Sequence, residues 1–204
     1  MIEKIIIQNF KIFDSFELSL NDDLNIVVGN NESGKSTLLE AISLALTKKI
    51  GGRPIEYEIS PYLFNKECAN LYLESVHKEQ HPELPRILIE LYLADREELQ
   101  FLRGSNNSQK TDSVGVKIEI EFNEDFREEY TELLKDPLRI RGVPVEYYKM
   151  NWFSFAFNQL SSRSLPIGLS NIDATTIRLL SGTTTATLKR MWRPNTRPMK
   201  TFQR

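Results

Sequence analysis

Gly29-Asn30-Asn31-Glu32-Ser33-Gly34-Lys35-Ser36-Thr37 fills every fixed position of the pattern G-x-x-x-x-G-K-[ST]. Before it, Leu24 to Val28 reads as a short buried strand, and after it Ser36 to Lys48 reads as a helix. The nine residues thus lie where a strand hands over to a helix N-terminus, the setting of a phosphate-binding P-loop. Gly29 and Gly34 permit backbone angles that turn successive N–H groups inward around an anion. Lys35 supplies a point charge for β- and γ-phosphates, Ser36 a hydroxyl for Mg²⁺, and Thr37 a hydroxyl on the α-phosphate side. The expected ligand is ATP with Mg²⁺, held by Gly29, Asn30, Asn31, Glu32, Ser33, Gly34, Lys35, Ser36 and Thr37, with Ser36 on the metal. A turn that merely capped a helix would have no use for a lysine and hydroxyls in this order.

Upstream, residues 2–20 alternate, with Ile5 and Ile7 on one face and Phe16, Leu18 and Leu20 beyond a turn around Phe13-Asp14-Ser15. This reads as a β-hairpin feeding the loop strand. Downstream, Leu38, Leu39, Ile42, Ala45 and Leu46 give the helix a wide apolar face suited to a sheet, and Gly51-Gly52 ends it. A helix from Ser60-Pro61 to about His77 follows. Arg86 to Leu93 and Val114 to Phe122 read as strands of a sheet with one wet face. The polar stretch from Gly104 to Lys110 between them reads as a flexible connection that orders when a partner arrives. Asn123 caps a helix to about Lys135, and Leu138 to Met150 and Trp152 to Phe157 read as further strands.

The chain has 204 residues, 40% hydrophobic and 26% charged, enough for a sizeable core as one domain or one domain with an inserted lobe. No apolar run is long enough to cross a membrane, and the N-terminus carries charge too early for a secretory signal, so a cytoplasmic location is expected. The single Cys68 has no disulfide partner and reads as a small buried hydrophobe. From Thr183 to Arg204 there are six basic residues and no acid, while positions 1–182 carry a net charge of −8. That tail, with Pro194 and Pro198, reads as a disordered basic end, with a nucleic-acid arm as the alternative.

Other candidates carry blander readings. His77 and His81 stand four apart, but the stretch is not H-E-x-x-H and Pro82 follows, so a solvated loop is expected. Tyr147, Tyr148, Trp152, Phe153, Phe155 and Phe157 could stack on bases. Their alternation instead puts the phenylalanines on one buried sheet face. Leu91-Tyr92-Leu93-Ala94-Asp95 has the outline of the acid-bearing strand that works on Mg²⁺ and water, yet it lies too early and reads as a strand end.

The stretches from Ile5 to Phe13 and from Leu24 to Ile42 resemble the N-terminal lobe of ABC-type ATPases of the SMC and RecF group, and within it the OLD-family ATP-dependent endonucleases. Ile59 to Asn65 and Asn171-Ile172-Asp173 add weaker support. The resemblance implies an α/β P-loop NTPase fold, an ABC-type head with a mixed β-sheet and an antiparallel β subdomain. It would comprise residues 1–182, with a P-loop core over 1–50 and an inserted α+β region over about 55–160. It also implies a dimer, or pairing with a second head, that traps each nucleotide between subunits, links to DNA processing, and a basic position at Lys11 near the nucleotide. Leu180-Ser181-Gly182 only echoes the start of an ABC signature, and the spaced carboxylates of a Toprim nuclease are absent, so nuclease activity is not carried over. A truncated member is the expectation, binding ATP but incomplete for hydrolysis. The alternative is an inactive or regulatory fragment that pairs with a full-length ATPase. A small-molecule kinase is disfavoured, since no arginine-rich lid is recognisable.

Overall fold

The computed structural model describes residues 1–78, 83–161 and 165–169, and Met1–Leu169 fold as one compact unit. His81, residues 171–173 and 180–182 and the basic tail lie outside the described residues. The fold begins with β1 (Ile2–Phe10) and β2 (Phe13–Ser19), paired antiparallel with Phe10 opposite Phe13. The reversal therefore falls at Lys11-Ile12, just ahead of the turn expected around Phe13-Asp14-Ser15. Lys11, at φ 51°, adopts the left-handed conformation that so short a connection requires.

Helix α1 (Lys35–Thr47) follows the loop and ends at Lys48, itself left-handed. Gly51 and Gly52, expected to stop the helix, instead turn the chain between β3 (Lys49–Ile50) and β4 (Arg53–Pro54). The helix expected from Ser60 is split. A single 3₁₀ turn at Pro61–Leu63 precedes α2 (Lys66–His77), whose first amides are capped by the Asn65 side chain. Then come β5 (Ile87–Leu93), β6 (Arg103–Gly104), β7 (Ser113–Phe122), α3 (Arg127–Leu133) and β8 (Tyr148–Ser154). Of the strand expected from Leu138 to Met150 only Tyr148 to Met150 enters β8; before it stand 3₁₀ turns at Pro137–Arg139 and Val145–Tyr147 with irregular chain between them.

The main sheet runs β2-β1-β5-β7-β6, with β8 also on β7, and every pairing is antiparallel. One face carries Ile5, Ile7, Ile89, Leu91, Val116, Ile118 and Ile120 in the same core as Leu38, Ala41, Leu44 and Ala45 of α1. Each Val, Leu or Ile among them, fully buried, contributes about 1.5–3 kcal/mol. Leu39, expected in that face, is exposed, and Ala41 and Leu44 take the inner positions. The Trp152 indole donates to the Ala45 carbonyl at 2.9 Å, tying β8 to the helix.

Two expectations about wet surfaces reverse. All seven residues of β5 are buried, because the stretch from Ser105 to Gln109 folds down over the outer face. Glu90, 1% exposed, accepts from the Ser108 amide at 2.7 Å and the Ser108 hydroxyl at 2.6 Å, and from Tyr92 at 3.2 Å. Asn106 and Asn107 are buried in this ordered loop, so it is not the flexible connection its composition suggested. The phenylalanines also divide. Trp152 and Tyr148 enter the main core and Phe155 packs with Ile6 and Tyr92 on the opposite side, whereas Phe157 is exposed. A bend after Ser154 breaks the strand that alternation had extended to Phe157.

Leu24 to Val28, expected as a buried strand, enters no ladder among the described residues. Leu24, Ile26 and Val28 are 72%, 75% and 83% exposed. A run this rich in apolar residues is stable as a strand where its edges are paired and its faces covered. None of the described strands stands beside it.

Candidate functional site

The loop after Val28 is shaped by two left-handed residues, Glu32 at φ 69° and Gly34 at φ 88°. The Ser33 amide donates to the Asn30 carbonyl at 3.3 Å, closing the bend. At Gly34 the cause is partly steric, since a Cβ would lie 2.9 Å from Phe13 Cζ and 3.0 Å from Ile12 Cγ2. The tip of the β1–β2 hairpin therefore packs on the loop at its second fixed glycine. At Gly29 a Cβ would come within 2.4 Å of Ser33 Oγ, so this position too has no room for a side chain.

Asn31, Glu32, Ser33, Gly34, Lys35, Ser36 and Thr37 line one cavity of about 490 Å³, together with Lys11 and Ile12. Gly29 and Asn30 are not in its lining. Their carbonyls hold the Lys35 ammonium instead, at 2.7 and 2.6 Å, with Ser33 Oγ at 3.3 Å. No side chain caps the start of α1, whose 13 residues direct their first-turn amides and dipole toward this cavity. The Leu38 amide bonds the Gly34 carbonyl, so the amides before it lack intrahelical acceptors.

Lys11 is fixed from behind. Its amide donates to the Leu63 carbonyl at 2.8 Å, and its carbonyl accepts from Asn65 Nδ2 at 3.1 Å. Asn65, while capping α2 through Oδ1, also donates its amide to the Asn9 carbonyl at 2.9 Å. Asn9, like Lys11, is left-handed, so the Leu63–Asn65 segment braces two unfavourable backbone positions. The Lys11 ammonium pairs with Glu40 of α1. It also stands in the wall of a second cavity, about 470 Å³, lined by Glu40, Arg53 and Tyr62 among others. This brace is what sequence reasoning missed. Its one visible signal was Asn65 standing just before a helical pattern.

The remaining candidates are elsewhere. Asp95 follows the end of β5 and pairs with Arg103, whose guanidinium, with Gln100 second, holds its carboxyl below the usual range. It is a strand-end acid, as expected. Cys68 is half-buried, and burial, with Asp14 adding, pushes its thiol up. His77 Nε2 bonds the Ile140 carbonyl at 3.1 Å, and among the described residues no cluster of three or more His, Cys, Asp or Glu could hold a metal. A mainly apolar cavity of about 390 Å³ between Met1, Leu20, Ile42 and Leu99 includes none of the loop residues.

A glycine-bounded turn, an uncapped helix and a lysine around one cavity, beside an antiparallel sheet, define an α/β P-loop NTPase of the ABC type. The chain belongs to the family described as AAA domain, which matches residues 4–161. It is thus an ATPase-type domain of a nucleotide-binding class. Over 48 residues it is 50% identical to Structural maintenance of chromosomes protein 6 of Saccharomyces cerevisiae, covering 24% of this chain and 4% of that protein. Over 82 residues it is 34% identical to DNA replication and repair protein RecF of Haemophilus ducreyi, covering 39% and 21%. Over 46 residues it is 46% identical to DNA double-strand break repair Rad50 ATPase of Methanopyrus kandleri, covering 22% and 5%. The matched stretches thus span about a fifth or less of these relatives. A solved structure from work on ATP-driven dimerization and DNA-stimulated activation of SMC ATPases aligns with 69% of this chain and 81% of its own, at 19% identity and a TM-score of 0.34. Among the described residues no helix is long and apolar enough to cross a membrane.

Proposed function

We propose that this chain is the ATP-binding lobe of an SMC- and RecF-like ATPase that acts in DNA processing, repair or phage defence, closest in kind to the OLD group. The observation that carries the reading is the single cavity shared by seven P-loop residues, Lys11 and the uncapped start of α1. A triphosphate entering it offers Lys35 stronger acceptors than the Gly29 and Asn30 carbonyls, and the first-turn amides of α1 complete its coordination. Ser36 supplies one hydroxyl to Mg²⁺ and Thr37 meets the α-phosphate side. The nucleoside extends past Lys11 toward Arg53 and Tyr62 in the adjoining cavity.

Binding exceeds turnover in this reading. Glu32 is the only acid in the cavity wall, and it is exposed on the loop itself, while Glu40 is engaged by Lys11 and Asp95 by Arg103. No described carboxylate is held where it could orient water beside a bound γ-phosphate. A second ATPase head and DNA are the partners this reading implies, and the compartment is the cytoplasm. Parallel measurement of ATP binding and phosphate release, each with Mg²⁺, tests it. Saturable binding with release no faster than the uncatalysed background is the expected result. Release at rates of about 1 s⁻¹ or more would show a complete catalytic site.

A second reading, an interaction module for a full-length ATPase, is favoured by the exposed Leu24–Val28 run. Concentration-dependent association without nucleotide turnover supports it.

A further inference from the structure

Lys11 stands in the wall of two cavities, with Gly34, Lys35 and Ser36 in one and with Glu40, Arg53 and Tyr62 in the other. Its ammonium is taken by the Glu40 carboxylate, which lines the second cavity and not the first. The Phe10 ring adds a weaker hold, its centroid 5.6 Å from the ammonium. The Lys11 and Glu40 side chains are 31% and 28% exposed, so water reaches the pair and its partners can exchange. The Lys11 backbone cannot follow such an exchange. Its amide is bonded to the Leu63 carbonyl and its carbonyl to Asn65, itself 6% exposed. What can turn is the flexible four-carbon stem of the lysine. Glu40 also follows Ser36 by four residues in α1, so the two project from one face of the helix.

We propose that Glu40 sets the affinity of the loop for polyphosphate by competing for Lys11. The proposal rests on the nucleotide reading above. A polyphosphate in the loop cavity offers the ammonium more negative charge and more acceptor oxygens than one carboxylate does. The stem swings to it while Leu63 and Asn65 keep the backbone in place. Each binding event then breaks the pair with Glu40, and the strength of that pair is subtracted from the affinity. Glu40 is thus a positioning residue that acts through Lys11, and it lowers affinity where a residue of the binding site would raise it.

Calorimetric titration of the full chain with inorganic tripolyphosphate and Mg²⁺ tests this, since the probe reports phosphate contacts without a base or sugar. Glu40→Gln keeps the shape of the side chain and removes its charge. It is expected to bind the probe more tightly by about twofold to fivefold, the range that a pair of this exposure is worth. Damage to the fold lowers affinity, so a gain separates this role from a structural one. The gain is expected to disappear in the Lys11→Ala background, whereas a carboxylate that merely repelled phosphate would give the same gain in both. Carbodiimide crosslinking of Lys11 to Glu40, mapped by mass spectrometry, is expected to fall at saturating probe. Affinity of Glu40→Gln no higher than the parent's, a gain that persists without Lys11, or crosslinking indifferent to the probe would each overturn the proposal. A parent that binds the probe, loses affinity in Lys35→Ala and is indifferent to Glu40→Gln overturns this proposal alone. A parent that does not bind the probe overturns the nucleotide reading and this proposal with it.

Discussion

Lys35 donates its ammonium to the carbonyl of Gly29, six residues earlier, at 2.7 Å. The first and last charged or glycine positions of the pattern are thus joined directly, and the lysine rests in a cage of its own loop. Phosphate oxygens are stronger acceptors than these carbonyls, so under the proposed function a bound triphosphate would draw the lysine out of this cage.

The contact between Gly34 and the hairpin tip is tight enough to read out. Gly34→Ala adds a Cβ 2.9 Å from Phe13 at a φ of 88°. A loss of about 1–3 kcal/mol is expected in denaturant melts. Exchange of the Ile12 and Phe13 amides should rise with it.

Asn65 acts in two places, capping α2 and bonding the Lys11 carbonyl. Asn65→Ala is expected to cost about 1–2 kcal/mol. It should also free Lys11, which proton relaxation or crosslinking to Glu40 would show. Asn65→Asp retains the cap and loses the bond to Lys11, so it should recover most of the stability and little of the ordering.

Glu90 holds the 105–109 loop on the sheet through Ser108. Glu90→Ala leaves the Ser108 amide without its carboxylate and is expected to cost about 1–3 kcal/mol. Hydrogen exchange should speed up across residues 105–110 while β1 and β7 stay protected.

Alkaline pH acts through buried tyrosines. Tyr92 is pushed up to about 12, first by burial and then by the Glu90 carboxylate beside it. Burial also raises Tyr72, Tyr130 and Tyr148. A phenol whose folded value lies above its unfolded value of 10.0 stabilises fully below that pH and loses its contribution as pH rises through the folded value. The melting midpoint is therefore expected to hold below pH 10 and fall between pH 10 and about 12. Tyr92→Phe should make that fall shallower.

The loop and α1 were legible in the sequence because their signals are local, glycines, a lysine and helical spacing within a few turns. The β1–β2 hairpin was legible for the same reason, as was the core role of Ile5 and Ile7. Long-range arrangements were not. The burial of all of β5 depends on Ser108, 18 residues from Glu90, and a polar loop gives no sign of the buried carboxylate it covers. The support for Lys11 comes from Asn65, 54 residues away. Alternation put Phe153, Phe155 and Phe157 together, but a bend after Ser154 sends them to different surroundings. For Leu24–Val28 the composition predicted a buried strand, and the run is instead exposed and enters no ladder among the described residues. What a single sequence could not supply is the neighbour such a strand needs.

The most direct test of the central claim is calorimetric titration of the chain with ATP and Mg²⁺, for the parent and for Lys35→Ala. The account predicts saturable binding by the parent, weakened by about tenfold or more in Lys35→Ala. Equal affinity of the two proteins would contradict it.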